Sequence, residues 1–261
     1  MGVIDSMARV ISVANQKGGV GKTTTSVNLS ASLAVAEQKT LLIDIDPQGN
    51  ATSGLGIPKE KISGKSIYHS LINGVNIQDL IVDTDLDFLK IVPSDLDLIG
   101  AEIELVSIPD RELQLKKVIQ EVRDGFDYLI IDCPPSLGLI TVNALTASDS
   151  VLIPLQCEYY PMEGLSQLLK TIRLIKESLN PGLKIEGILL TMVDKRNNIS
   201  HQVTEEVRKH FSTLVFNTVI PRNVRLSECP SFGKPIILYD ASSRGAESYL
   251  ELANEIIAHK Q

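Results

Sequence analysis

Near the start of the chain an apolar run, 10–14, leads into Lys17-Gly18-Gly19-Val20-Gly21-Lys22-Thr23-Thr24, and a helix-compatible stretch follows over 23–37. No other feature restricts the fold so narrowly. Glycines let consecutive backbone N–H groups converge on one anion without Cβ clashes. The helix N-terminus adds partial positive charge at the same point. Strand, glycine turn, Lys-Thr and helix together make the arrangement of a phosphate-binding loop. In it Gly18, Gly19, Val20 and Gly21 present backbone, Lys22 neutralises the outer phosphates, Thr23 offers its hydroxyl to Mg2+, and Thr24 continues the cradle. The usual spacing would put glycine at position 16. This chain has Gln16 there and opens the loop with an additional lysine, Lys17.

The rest of the chain repeats the same alternation of short apolar runs and helix-period segments. Strands are expected over 10–14, 40–44, 88–92, 128–132, 150–154 and 185–192, with a weaker candidate at 215–220. Several are almost uniformly apolar, as strands buried on both faces are. Leu115, Val118, Ile119 and Val122, and likewise Leu165, Leu168, Leu169 and Ile172, fall at helical spacing. Near the end, Leu250, Ala253 and Ile257 form a stripe read as core packing. The pattern predicts an α/β fold: a single, doubly wound, mostly parallel sheet with helices on both faces. Neither a repeat nor a linker divides the 261 residues. The expected organisation is a flexible N-terminal extension, 1–8, and one nucleotide-binding domain, 9–261.

A phosphate loop positions phosphates but needs carboxylates to place metal and water. Two apolar runs end in them. Leu41-Leu42-Ile43-Asp44-Ile45-Asp46-Pro47-Gln48-Gly49 supplies a pair, and Leu129-Ile130-Ile131-Asp132-Cys133-Pro134-Pro135 supplies one before a rigid Pro-Pro. A lone aspartate at a strand end is ordinarily a cap or turn residue; three beside a phosphate loop favour a site. Asp132 is expected to hold Mg2+, Asp44 to support the metal shell and Asp46 to orient the attacking water.

These three stretches resemble the deviant-Walker ATPases, which include ParA, MinD and the nitrogenase iron protein. The chain is most similar to the chromosomal ParA (Soj) branch. The likeness continues through Asp46-Pro47-Gln48-Gly49-Asn50-Ala51-Thr52, Pro135-Ser136-Leu137-Gly138, Gln156-Cys157-Glu158-Tyr159-Tyr160 and Val219-Ile220-Pro221-Arg222-Asn223-Val224-Arg225. The resemblance implies a slow ATPase that uses ATP and Mg2+ and forms a nucleotide-sandwich homodimer. Lys17 would reach the partner's phosphates, and Gly18 would lie where the subunits approach. Pro221, Arg222 and Asn223 would sit against the adenine. The ATP dimer would bind double-stranded DNA without sequence preference until a ParB-type centromere-binding protein stimulates hydrolysis, so that the cycle segregates chromosomes or plasmids. Arg196 and Arg225 would belong to the DNA-binding patch, and Lys195 and Lys234 are weaker members.

Composition restricts the alternatives. The formal net charge of −7 argues against a protein coated in nucleic acid but leaves room for a local basic patch. Cys133, Cys157 and Cys229 are far apart and form no C-x-x-C pair, so buried thiols in a reducing compartment are expected rather than a cluster. A cytoplasmic, nucleoid-associated location follows from the resemblance, with no stable membrane association. The other reading is a MinD-like switch that positions a protein cargo or a membrane-associated complex. The final stretch, with Glu251, Glu255, His259 and Lys260, is poor material for a lipid-binding helix.

Overall fold

The computed structural model describes residues 7–157, 161–194 and 196–259. Most of the expected N-terminal extension, together with Glu158, Tyr159, Tyr160, Lys195 and Lys260, lies outside the described residues.

Among the described residues, the strands Arg9–Val13 (β1), Thr40–Asp44 (β2), Val82–Asp83 (β3), Leu89–Val92 (β4), Tyr128–Asp132 (β5), Ser150–Gln156 (β6), Lys184–Val193 (β7) and Val215–Pro221 (β8) form one sheet. Their order is β3-β4-β2-β5-β1-β6-β7-β8. Every pairing is parallel except β3 with β4. The two-residue β3 is too short to carry any hydrophobic period, and it escapes sequence reading for that reason. The packed chain begins one residue before the expected boundary. Ala8 is fully buried, its N–H donates to the Arg123 carbonyl, and the Arg123 guanidinium donates back to the Ala8 carbonyl at 2.9 Å.

Both faces of the sheet are covered. Val10, Leu41, Ile43, Leu129, Ile131 and Val151 point into one core; Ile11, Val13, Leu42, Ile130, Leu152 and Leu189 point into the other. Successive strand side chains alternate faces, so burial on both sides demands the unbroken apolar runs. On the second face the helix Lys22–Val35 packs against the C-terminal helix Arg244–Ala258. Here the structure corrects the expected stripe. The side turned to the core is Ala246, Tyr249, Leu252, Ala253 and Ile256, with Leu250 and Ile257 only half-buried on its flanks.

Parallel pairing brings the carboxyl ends of the strands to one edge. Asp44 and Asp132 are register partners at the ends of β2 and β5, and Val13, the last residue of β1, pairs with Asp132. The phosphate loop and its carboxylates are therefore neighbours by topology.

Candidate nucleotide site

Residues 15–21 connect β1 to the first helix. Gly21 caps that helix in the left-handed region at φ 88°, its first turn contains no acidic residue, and no side chain occupies the cap. Gly19 is also left-handed, at φ 73°. The loop is fastened at both ends. The Asn15 amide donates to the Pro154 carbonyl at 2.7 Å while its oxygen accepts the Lys17 N–H. On the other side the Thr191 hydroxyl, from β7, donates to the Val20 carbonyl at 2.9 Å. Val20 is buried, whereas Lys17, Gly18 and Gly19 are exposed.

The two lysines face different surroundings. Lys22 is buried to 7% exposure, and its ammonium donates to the Lys17 carbonyl at 3.0 Å. Burial lowers its pKa, and Asp132, Cys133 and Asp46 oppose that shift. Lys17 projects from the outer surface of the loop.

Behind Lys22 stand the carboxylates. Asp132 is fully buried; its Oδ1 accepts from the Ser26 hydroxyl at 2.7 Å. Burial raises its pKa, Asp44 adds to the rise, and the Ser26 and Thr23 hydroxyls counter it. Its Oδ2 is buried and has no hydrogen-bond partner. Asp44 has a different environment. It accepts the Asp46 N–H at 3.1 Å and both the backbone N–H and the hydroxyl of Thr52 at 2.8 Å. Burial raises its pKa despite these donors. Asp44 is thus tied to the helix Asn50–Gly54, and Thr52 in turn accepts the Ser94 N–H. Asp46, 7% exposed, accepts the Gln48 N–H at 2.9 Å, which tightens the turn after β2.

An orphaned, fully buried carboxylate oxygen beside a threonine hydroxyl is a donor set suited to a hard divalent cation. Among the described residues, no group of three or more His, Cys, Asp and Glu could hold a metal by itself. Mg2+ commonly binds through one or two protein groups plus substrate phosphates and water, and Thr23 with Asp132 fits that pattern. Asp44, already supplied with three donors, braces the arrangement from behind.

Beside the loop lies a cleft of about 410 Å³ that Gly21, Thr24 and Met192 share with Pro221, Arg222 and Asn223. The chain segment expected against the adenine is therefore placed next to the phosphate loop. Asn223 caps the following helix, its Oδ1 accepting the Arg225 N–H at 2.8 Å, which leaves its amide N–H groups as donors. Met192, at φ 52°, holds a backbone conformation that costs a non-glycine residue about 1–2 kcal/mol. Such strain concentrates at ligand clamps.

The two expected DNA-binding arginines sit after β7 and β8, at the same edge of the sheet. Arg196 is 90% exposed in its side chain and forms a two-pronged pair with Asp194 at 3.0 Å. Arg225 pairs with Glu228 at 3.0 Å and with Asp240 at 3.5 Å. Arg196 lines a cavity of about 670 Å³ outside β7 and β8, together with Arg222 and Arg244; Arg225 does not line it. Lys234 lies elsewhere, at a pocket beside Thr23 and Asn28.

Sequence reading missed Asn15, Ser26, Thr52 and Thr191. Ser26 lies one helical turn beyond Thr23, so helical spacing alone could have found it. Thr191 is a polar residue at the end of an apolar strand, the same signal that exposed Asp44.

Residues 8–185 match the AAA domain family. The Chromosome partitioning protein ParA of Myxococcus xanthus is 61% identical over 252 residues, covering 97% of this chain and 89% of the relative. The Sporulation initiation inhibitor protein Soj of Bacillus subtilis is 59% identical, covering 97% of this chain and all of the relative. The chain belongs to the ParA/Soj family of chromosome-partitioning ATPases. A solved structure, Cobyrinic Acid a,c-diamide synthase from Mycobacterium smegmatis with bound ADP and magnesium, superposes with TM-score 0.85 at 38% identity and covers 97% of this chain and 96% of that one. Its name describes an amide-forming enzyme, but the partitioning relatives match this chain at far higher identity.

Proposed function

We propose that the chain is a Mg2+-dependent ATPase that switches between a free monomer and an ATP-bound homodimer, and that the dimer binds double-stranded DNA without sequence preference. The observation that carries this reading is the asymmetry of the loop. Lys22 is turned inward beside Asp132 and Asp46, while Lys17 and Gly18 face outward. A Cβ at Gly18 would meet nothing within 4 Å, so the protein's own fold does not require glycine there. A close approach by a second subunit would.

In this reading the backbone of Gly18, Gly19, Val20 and Gly21, with Thr24, cradles the phosphates, and Lys22 neutralises the charge that grows on the transferring group. When bound, Mg2+ supplies further charge neutralisation and fixes the phosphate oxygens. Thr23 and Asp132 hold it, and Asp44 keeps the Asp46 turn in place. Asp46 orients the attacking water. Pro221, Arg222 and Asn223 face the base. Lys17 adds positive charge only across the dimer, so turnover is slow until the dimer and its partner complete the site. That partner is a ParB-type centromere-binding protein whose stimulation releases the DNA, and the cycle segregates a chromosome or plasmid on the nucleoid, in the cytoplasm. Arg196 and Arg225 contribute the DNA contacts. Their pairs with Asp194, Glu228 and Asp240 are exposed and worth little, so phosphates can exchange for the carboxylates. The apolar side of the C-terminal helix is spent on the core, which counts against a lipid-binding role for it. No helix among the described residues is long and apolar enough to cross a membrane.

The experiment is DNA binding by the Asp46→Ala protein with ATP and with ADP, at low and moderate salt. Binding with ATP alone, falling as salt rises, is the expected result. An ATP dimer that ignores DNA refutes the cargo. Arg196→Glu with Arg225→Glu should abolish DNA binding and leave dimerisation intact.

A further inference from the structure

Asn15 stands where β1 gives way to the phosphate loop, and it is 3% exposed. Val13 is in register with Leu152, and the Ala14 N–H donates to the Leu152 carbonyl at 3.1 Å. In a parallel ladder the bonds are evenly spaced, two residues apart on each strand, so the next acceptor along β6 is the Pro154 carbonyl. The Asn15 amide takes that place at 2.7 Å. A side chain thus closes the ladder, and the main chain is free to leave the sheet.

The other end of the same amide faces the loop. Its Oδ1 accepts the Lys17 N–H at 3.0 Å, the turn that asparagine makes with the residue two places on. On the far side of the Lys17 Cα, the carbonyl accepts the Lys22 ammonium at 3.0 Å. Both peptide groups that flank Lys17 are therefore held, while Lys17 itself is exposed.

Nucleotide acts on these two tethers differently. Lys22 is the lysine that neutralises the outer phosphates, so bound nucleotide competes with the Lys17 carbonyl for its ammonium. Asn15 meets no such competition, because both of its bonds go to the protein's own backbone. Gly18 and Gly19 follow, with Gly19 left-handed at φ 73°, and glycine backbone is the most permissive in any chain. The Asn15 tether is the one that nucleotide leaves in place.

We infer that Asn15 is the positioning residue for Lys17. It presets the peptide from which Lys17 reaches the phosphates held by a second subunit, and so governs turnover of the dimer without touching nucleotide. The inference deepens the cross-dimer role proposed for Lys17 and rests on it. Among short side chains only asparagine pairs an amide donor with an acceptor. Aspartate would set a carboxylate oxygen against the Pro154 carbonyl, and serine would keep an acceptor for Lys17 but lacks the reach to β6.

The test compares the full chain with Asn15→Ala, Asn15→Ser, Lys17→Ala and the Asn15→Ala, Lys17→Ala double variant. Hydrolysis is followed at saturating ATP and Mg2+ over protein concentrations that span dimerisation, and calorimetry with ADP reads the site of the single subunit. Asn15→Ala and Asn15→Ser both leave the Pro154 carbonyl without its donor, so their unfolding midpoints should fall together. They should part in turnover, because the serine hydroxyl can still accept the Lys17 N–H. Asn15→Ala should lower kcat by about tenfold or more, Asn15→Ser should recover most of that loss, and ADP affinity should stay at the parent's value in both. In the Lys17→Ala background Asn15→Ala should cost nothing further, since residues that act through one group are not additive. Equal losses of kcat in the alanine and serine variants overturn the inference, as does a loss that adds in full to that of Lys17→Ala. Parental hydrolysis by Lys17→Ala removes the cross-dimer role and the inference with it. A slow Lys17→Ala beside a normal Asn15→Ala removes the inference alone.

Discussion

Gly56 and Gly233 touch where the segment behind Asp44 and Asp46 meets the segment that follows the Pro221–Asn223 loop, and the contact fixes the cost of a single methyl group. A Cβ on Gly56 would stand 2.7 Å from the Gly233 carbonyl oxygen, and a Cβ on Gly233 would stand 2.6 Å from the Gly56 Cα. Both obstacles are backbone, which cannot rotate aside as a side chain can. Gly56 also has φ 71°. Gly56→Ala therefore carries about 1–2 kcal/mol for the left-handed backbone and about 1–3 kcal/mol for overpacking. The total is roughly 2–5 kcal/mol. Gly64 provides the control, because its φ is 68° and a Cβ there meets nothing within 4 Å. Gly64→Ala should lose only the backbone part, about 1–2 kcal/mol. Any gain from restricting the unfolded chain is common to both variants and cancels. Urea unfolding followed by circular dichroism reads the difference, and thermal melts should show Gly56→Ala lower by several degrees. Equal losses in the two variants would mean that the glycine contact relaxes without cost and that the backbone clash is not real. Nucleotide affinity should fall with Gly56→Ala and not with Gly64→Ala.

Gly18→Val should fold and bind nucleotide like the parent, because the added side chain enters open space, yet sedimentation with ATP should show no dimer; a normal dimer removes the reason for placing the subunit contact there. Thr191→Val leaves the Val20 carbonyl buried without its donor, a loss of about 1–3 kcal/mol, and should raise the KM for ATP more than it lowers kcat. The Arg196 guanidinium holds the Asp194 carboxyl at about 2, below its ordinary 3.8. A depressed carboxylate stabilises the fold above its unfolded pKa, and the contribution is lost as pH falls from about 4 towards about 2. Carboxyl NMR should find Asp194 ionised at about pH 3, and Arg196→Gln should raise its titration part of the way to the usual range, because the backbone N–H of that position and Arg222 still lower it; an unshifted titration in the parent shows that the pair does not persist in solution. Cys133, Cys157 and Cys229 are buried and burial raises each thiol's pKa, so a maleimide should label none of them until the protein is unfolded.

The sheet's central strands and the phosphate loop are legible in the residues alone. The apolar runs 41–43 and 129–131 are too short for a helix and rich in Leu and Ile, which favours strands covered on both faces, and β2 and β5 contain those residues. The glycine turn between strand and helix declares its chemistry locally, because every group that makes the cradle lies within eight consecutive residues. Spacing alone assigns no side of a helix to solvent, and the C-terminal helix shows that limit. Several registers of apolar residues share one period, and contact with β8 and the first helix chose the face containing Tyr249 and Leu252. Only the tertiary structure could set Asp44 beside Asp132, since their pairing is a strand register between residues 88 apart. It alone joined Thr191 to Val20, 171 residues away, and gave Asp44 three donors while leaving Asp132 an oxygen without one. Such contacts are made between elements after they pack, and no period along the chain encodes them.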